Sequence, residues 1–180
     1  MSADLSQLKE TDACSQANCS DERAGHIRSF CLSPNKLIFA AKKLDELGYF
    51  LEDVSCVHVK EGFELVYHFD HWDNPGRIVL RTIISEDKKE ADSIARIFPG
   101  ADWHERECYD FFGIRFKGHS NLIPLLLPPE IDNPPLLKKE KEKKDLKQLL
   151  PDPENVLTSP QDEEFMEYIL QCSKSKSKEE

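Results

Sequence analysis

The stretch Ala101-Asp-Trp-His-Glu-Arg-Glu-Cys-Tyr-Asp-Phe-Phe-Gly-Ile-Arg-Phe-Lys-Gly-His119 crowds charges and large aromatics onto one short segment. Wound as a helix at 100° per residue, it sets Trp103, Glu107 and Phe111 on one side with Arg106 and Asp110, and Glu105, Phe112, Tyr109 and Cys108 on the other. A surface helix of a lone monomer shows one apolar and one wet stripe. This one asks for contact on two sides, the protein's own core and a second surface. Asp102 followed by Glu105 three residues later predicts an N-cap with a capping box, and Gly113 stands where a helix needs a left-handed C-terminal residue. Arg106 and Asp110, four apart, are spaced to pair within the helix.

Working upstream, Ala91, Ile94, Ala95 and Phe98 recur at helical spacing and predict a helix over 88–98, stopped by Pro99-Gly100. Before it lie three predicted strands. Val54–Lys60 turns at Glu61-Gly62 into a strand where Phe63, Leu65, Tyr67 and Phe69 alternate with more polar neighbours. After the turn signal Asp73-Asn-Pro-Gly76, a third strand follows from Arg77 to Ile84. Connections this short favour an antiparallel meander. A first helix opens at Ser33-Pro34 and closes at Gly48, with Leu37, Ala40, Ala41, Leu44 and Leu47 as its apolar stripe. Ile114–Phe116 adds a short strand. The fold class is therefore α+β in two layers, an N-terminal helix packed on a mainly antiparallel sheet with further helices, plus an extended C-terminal tail.

Three regions follow. Residues 1–30, polar and without period, read as a flexible arm or weak helix, 31–127 as the folded domain, and 128–180 as a Pro/Lys/Glu-rich extension. Within the extension, Lys138–Lys147 alternates Lys with Glu as a solvated helix or linker does. A docking helix is expected after Ser159-Pro160, with Phe165, Tyr168, Ile169 and Cys172 on one stripe.

The 180 residues carry 24 Lys plus Arg against 34 Asp plus Glu, and a net charge of −10 argues against nucleic acid or an anionic bilayer as the main partner. No apolar run approaches the roughly 20 residues that span a bilayer, and the N-terminus lacks a signal peptide's apolar core, so a soluble intracellular chain is expected. Six cysteines with no CxxC pair do not form a cluster or zinc framework and read as free thiols. The 7 glycines include no GxGxxG or GxxxxGK[ST] arrangement, and no GxSxG elbow or Cys–His signature supports a covalent nucleophile. His68, Asp70, His71 and Asp73 form one conceivable metal cluster, and His104, Cys108 and His119 another. The spacing permits ligation without demanding it, and both sets read as structural.

The segment Ile97–His119 also resembles the signature of the thirty-kilodalton subunit family of respiratory complex I, whose members are its C-type subunits. The Glu105-Arg106-Glu107 triplet, Asp110, the pair Phe111-Phe112, Gly113 and His119 carry the resemblance. Tyr67-His68 and the preceding meander extend it to roughly residues 30–130. The resemblance implies a non-catalytic structural subunit in the peripheral arm of a proton-pumping membrane oxidoreductase. Its expected partners are homologues of the complex I subunits D, B and I, with docking on the D-type partner next to the quinone site. It implies no cofactor in this chain, with iron–sulfur clusters in partner subunits. It implies a peripheral location on the cytoplasmic face of the cell membrane, or the equivalent matrix face, with membrane contact only through the complex. Trp103, Glu105, Arg106, Glu107, Asp110, Phe111, Gly113 and His119 are the expected interface residues; catalytic and metal residues are expected to be none. Ser120 and Ile123-Pro124 stand where the family has a proline and a basic pair. An equivalent subunit of a deazaflavin-, ferredoxin- or hydrogen-oxidising membrane complex is therefore the alternative.

Overall fold

The computed structural model describes the backbone of residues 14–18 and residues 25–128, 130–131 and 133–146. Its elements run β1 (Cys14–Asn18), β2 (Arg28–Leu32), a 3-10 turn (Pro34–Lys36) leading into α1 (Leu37–Glu46), β3 (Tyr49–Val59), β4 (Gly62–His71), β5 (Ile78–Ile84), β6 (Glu90–Asp92), α2 (Ala101–Phe112) and β7 (Arg115–Lys117). The main sheet has the order β1-β2-β5-β4-β3. The expected meander is present: β3 with β4 and β4 with β5 pair antiparallel. β2 instead joins β5 in parallel, from Arg28↔Ile78 to Leu32↔Thr82. That pairing joins residues about fifty apart and leaves no local trace in periodicity.

Period 2 in β4 decides the layering. Phe63, Leu65, Tyr67 and Phe69 turn to one face, where with Phe30, Leu32, Ile78 and Leu80 they bury against Leu37, Ala40, Ala41 and Leu44 of α1 and Ala101, Cys108 and Phe112 of α2. The alternate residues face the other way. There the nearly fully buried Glu64 accepts a 2.7 Å ion-paired bond from Arg81, which also donates to Ser29 Oγ. A two-layer α+β arrangement results.

Three expectations are corrected. The polar N-terminal arm contains a strand, β1, paired antiparallel to β2 from Cys14↔Leu32 to Asn18↔Arg28, because an open sheet edge offers backbone partners whatever the side chains are. Residues 88–98 do not form a helix. Lys89 takes φ 44°, and β6 pairs in parallel with β7. Ile94 then starts a single turn, accepting from the amides of Ile97 and Phe98. Ala91, Ile94 and Phe98 are buried as the spacing required, through a strand and a turn. The Lys/Glu run is not a solvated linker either: Lys143 and Leu146 are buried, and Lys144 bridges to Val59. The helix expected after Pro160 lies outside the described residues.

The β3–β4 hairpin turns at Gly62, whose φ is 137° and whose added Cβ would meet Ile84 O at 2.3 Å. Gly100, before α2, has φ −60° and open space around the equivalent position. Gly62→Ala should therefore lower stability by at least about 2 kcal/mol, whereas Gly100→Ala should change it by less than about 0.5 kcal/mol. Paired thermal melts of the two variants check this.

Candidate subunit interface

Ten of the twelve residues of α2 sort into three rows. Ala101, Glu105, Cys108 and Phe112 form the inward row. Glu105 is a carboxyl in the core: Ser93 Oγ donates to its Oε2 at 2.6 Å and the Ile94 amide donates to its Oε1 at 2.8 Å. Burial pushes this carboxyl up to about 7; the two hydrogen bonds pull against that, and the Asp102 charge adds to it. Cys108 lies in the same row, and burial, with Glu107, Glu105 and Asp53 nearby, pushes its thiol up to about 12, so it is an unreactive core group.

Asp102, Arg106 and Asp110, one turn apart, bind the irregular segment 119–127. The buried His119 ring donates from Nε2 to Asp102 O at 3.2 Å, while its Nδ1 accepts the Asn121 amide at 3.0 Å. Arg106 donates to the carbonyls of Ile123 and Pro124 at 3.0 and 3.1 Å. Asp110 Oδ2 accepts three consecutive amides, from Leu125, Leu126 and Leu127, at 2.9, 2.7 and 3.1 Å. A segment without secondary structure has unpaired amides, and a carboxylate facing three in succession satisfies them together. Both local pairings expected from sequence yield to this. Asp102 is not the N-cap, since Gly100 holds that place without a side-chain bond, and Glu105 binds Ser93 rather than the helix start. Arg106 approaches Asp102, at 3.8 Å, and Asp110 serves the leucine amides.

The third row is the outward one. Trp103 is 67% exposed, Glu107 is exposed with no ionic partner among the described residues, and Phe111 is half-buried. Phe111 O accepts the Leu136 amide, and Gly113, at φ 75°, ends the helix as expected, with Pro134 against it. Ile123 and Leu126, on the segment gripped by the middle row, are also exposed. Of the eight residues marked from sequence, then, Trp103 and Glu107 face outward with the half-buried Phe111 in the same row. Glu105, Arg106, Asp110, Gly113 and His119 organise the surface from within.

The conceivable metal sets disperse. His104 Nδ1 stands 3.3 Å from Asp53 Oδ1, while His119 is engaged by Asp102 O and the Asn121 amide. His71 Nε2 donates to Leu47 O, its Nδ1 accepts the amides of Asp73 and Asn74, and Asp70 accepts those of His71 and Gly76. These groups hold a turn. Among the described residues no three His, Cys, Asp or Glu side chains are grouped as metal ligands. Sequence reading missed Ser93, the second anchor of Glu105, and segment 121–127, whose signal was an apolar Leu125-Leu126-Leu127 run between prolines with no strand to join.

With this geometry in place, comparison with known proteins is specific. The family model for the 30-kilodalton subunit of respiratory-chain NADH dehydrogenase matches residues 30–145. The C-type subunit of NADH-quinone oxidoreductase from Roseiflexus castenholzii is 38% identical over 120 residues, covering 63% of this chain and 66% of that relative. The fused C/D subunit of the same enzyme from Buchnera aphidicola is 32% identical over 107 residues, covering 59% of this chain and 17% of the relative. The C-type subunit of F(420)H(2) dehydrogenase from Methanosarcina mazei is 36% identical over 72 residues, 40% of this chain and 46% of the relative. The chain thus spans just under two thirds of the first relative, about half of the last and a small part of the C/D protein. A component of the membrane-bound sulfane sulfur reductase, an archaeal respiratory membrane complex, shares the fold with a TM-score of 0.63. It is 24% identical over 81% of this chain and 86% of its own length.

The Glu105 environment sets a pH dependence. Its folded pKa lies above the unfolded value, so the native state holds the extra proton; stability from this group is full below the unfolded value near 4.3 and is lost as pH rises through about 7. Relative to Glu105→Gln, the wild-type chain should lose on the order of 3 kcal/mol between pH 4.5 and 8. Denaturant melts of both proteins across that range measure it, and a pH-independent difference would contradict the assignment. Asp110→Ala, which orphans three amides, should cost about 2–4 kcal/mol and deprotect Leu125–Leu127 in amide exchange.

Proposed function

The chain belongs to the 30-kilodalton subunit family of respiratory-chain NADH dehydrogenases, and from that premise we propose that it is a non-catalytic structural subunit of the peripheral arm of a complex I-like, proton-pumping membrane oxidoreductase. In this reading it docks through the outward row of α2 on a D-type subunit, next to the quinone site and near homologues of subunits B and I. Electrons pass through iron–sulfur clusters of partner subunits, and this chain alone turns over no substrate. It sits peripherally on the cytoplasmic or matrix side, touching the membrane only through the complex. No helix among the described residues is long and apolar enough to cross a membrane, which is consistent with a peripheral place.

The observation that carries the docking surface is the contrast within α2. Its charged middle row is consumed by the chain's own backbone, while a large aromatic at Trp103 and an acid at Glu107, without an ionic partner among the described residues, stay in solvent. An exposed aromatic anchor beside a single charge is the composition of an interface hot spot: the aromatic supplies buried area and the charge fixes orientation. A relative that carries C-type and D-type parts in one polypeptide supports a D homologue as the partner. The F(420)H(2) dehydrogenase relative favours a second reading, the equivalent subunit of a complex that oxidises a reduced deazaflavin.

Affinity capture of the full chain from detergent-solubilised membranes should recover homologues of subunits D and B. Trp103→Ala combined with Glu107→Arg should reduce that recovery at least tenfold while leaving the melting temperature unchanged within about 2 °C. Unchanged recovery would remove the docking role of this row. Capture of a partner set that oxidises reduced deazaflavin and not NADH would select the second reading.

A further inference from the structure

Between the end of α2 and the β3–β4 hairpin, residues 133–146 cross the domain and are fastened at a cluster around His58. At its centre His58, on β3, is 3% exposed. Its ring stacks on Phe63 of β4, centroids 4.4 Å apart, and the Lys89 ammonium lies 5.3 Å from the Phe63 centroid. The two ring nitrogens hold different elements. Nδ1 accepts the Lys138 amide at 3.0 Å, and Nε2 bonds Glu86 Oε1, in the loop after β5. The same Glu86 oxygen accepts Lys143 Nζ at 2.8 Å, and Lys143 also binds Glu140 at 2.8 Å. Further along, Lys60 binds Asp145, the Lys60 amide donates to Lys144 O, and the Leu146 amide donates to Glu61.

The tautomer follows from the partners. A backbone N–H can only donate, so Nδ1 carries the lone pair and the ring proton sits on Nε2, toward the carboxylate. A second proton has one place to go, Nδ1, where it meets the Lys138 N–H head-on. Two donors then face each other in a buried site.

We propose that His58 is a proton-operated clasp for the 138–146 segment, closed while Nδ1 accepts the Lys138 amide and released at its Lys138 end when Nδ1 is protonated. Every group facing the ring enters this balance. Glu86 alone favours the imidazolium, but it is shared: a charged His58 and a charged Lys143 compete for one oxygen. Lys143 retains Glu140, which is exposed. Phe63 offers no charge, and Lys89 opposes a second cation. Lifting the segment admits water to the ring, so the imidazolium is better hydrated in the open state than in the closed one, and by linkage protonation drives opening. The sign is fixed: closure belongs to the singly protonated ring, whose Nδ1 accepts the Lys138 amide, and weakens as a second proton is added. The contacts of Lys144, Asp145 and Leu146 with the hairpin, and of the Leu136 amide with Phe111 O, involve no histidine, so the segment opens between these two anchors and stays tethered at both.

Amide exchange of the full chain at about pH 7.5 and about pH 5.5, corrected for the intrinsic rate, tests this. Protection at Lys138 through Lys143 should fall at least tenfold at the lower pH while protection in β4 is unchanged. His58→Asn, whose Oδ1 accepts in place of Nδ1 and never titrates, should abolish the pH dependence. Should the variant leave the segment open at both pH values, the wild-type titration followed by nitrogen-15 shifts of the ring decides: a Lys138 amide that loses protection with the midpoint of His58 upholds the clasp. A ring that becomes doubly protonated while Lys138 stays protected, or a protection loss that persists unaltered in a folded His58→Asn chain, overturns it.

Discussion

The roll of α2 about its own axis is set by one buried carboxyl, Glu105, bonded to Ser93 and Ile94. Those two groups stand at the end of β6, so the helix is pinned to the strand that precedes it. Rolling α2 by one residue, about 100°, would withdraw Glu105 from its donors and carry Cys108 and Phe112 out of the core. The energetic weight is large because a buried carboxyl without partners is far more costly than one with two. Once that roll is fixed, the middle and outer rows have no freedom left.

The middle row converts charge into chain path. Arg106 and Asp110 look on a helical wheel like a surface ion pair, worth a few tenths of a kcal/mol. In the folded chain they meet backbone carbonyls and amides of residues 123–127, groups that have no other secondary structure to satisfy them. A carboxylate taking three amides outcompetes a solvated pair, and the irregular segment is held along the helix as a result. Trp103 and Glu107 are thereby isolated as the outward row. A row of this make-up has little to desolvate, one aromatic and one acid.

The same physics operates in the segment that follows. Lys143 sits in a run that composition assigns to solvent, yet Glu86 and Glu140 bind it and burial is tolerated; its ammonium is raised by these two partners over the opposing cost of burial. Glu86 is lowered in turn, because Lys143 and His58 outweigh the burial that would raise it. Paired, hydrogen-bonded charges can be enclosed where lone ones cannot.

Much of this was legible from residues alone. Alternation in Phe63–Phe69 and the helical spacing of Leu37–Leu47 report which face of each element is apolar, and local apolar order survives any packing consistent with it, so the two-layer α+β class, the meander and the left-handed end at Gly113 follow from sequence. The family pattern in 97–119 lay in the sequence as well. What needed tertiary structure was every partner chosen across a long separation. The parallel β2–β5 pair, the strand in place of a helix at Glu90–Asp92, Ser93 against Glu105, the leucine amides against Asp110 and Lys138 against His58 all join groups brought together only by the folded chain. A side chain's spacing states whom it is able to meet within its own element. Which bond it makes depends on which unsatisfied donor or acceptor the rest of the fold delivers to it, and that is decided in three dimensions.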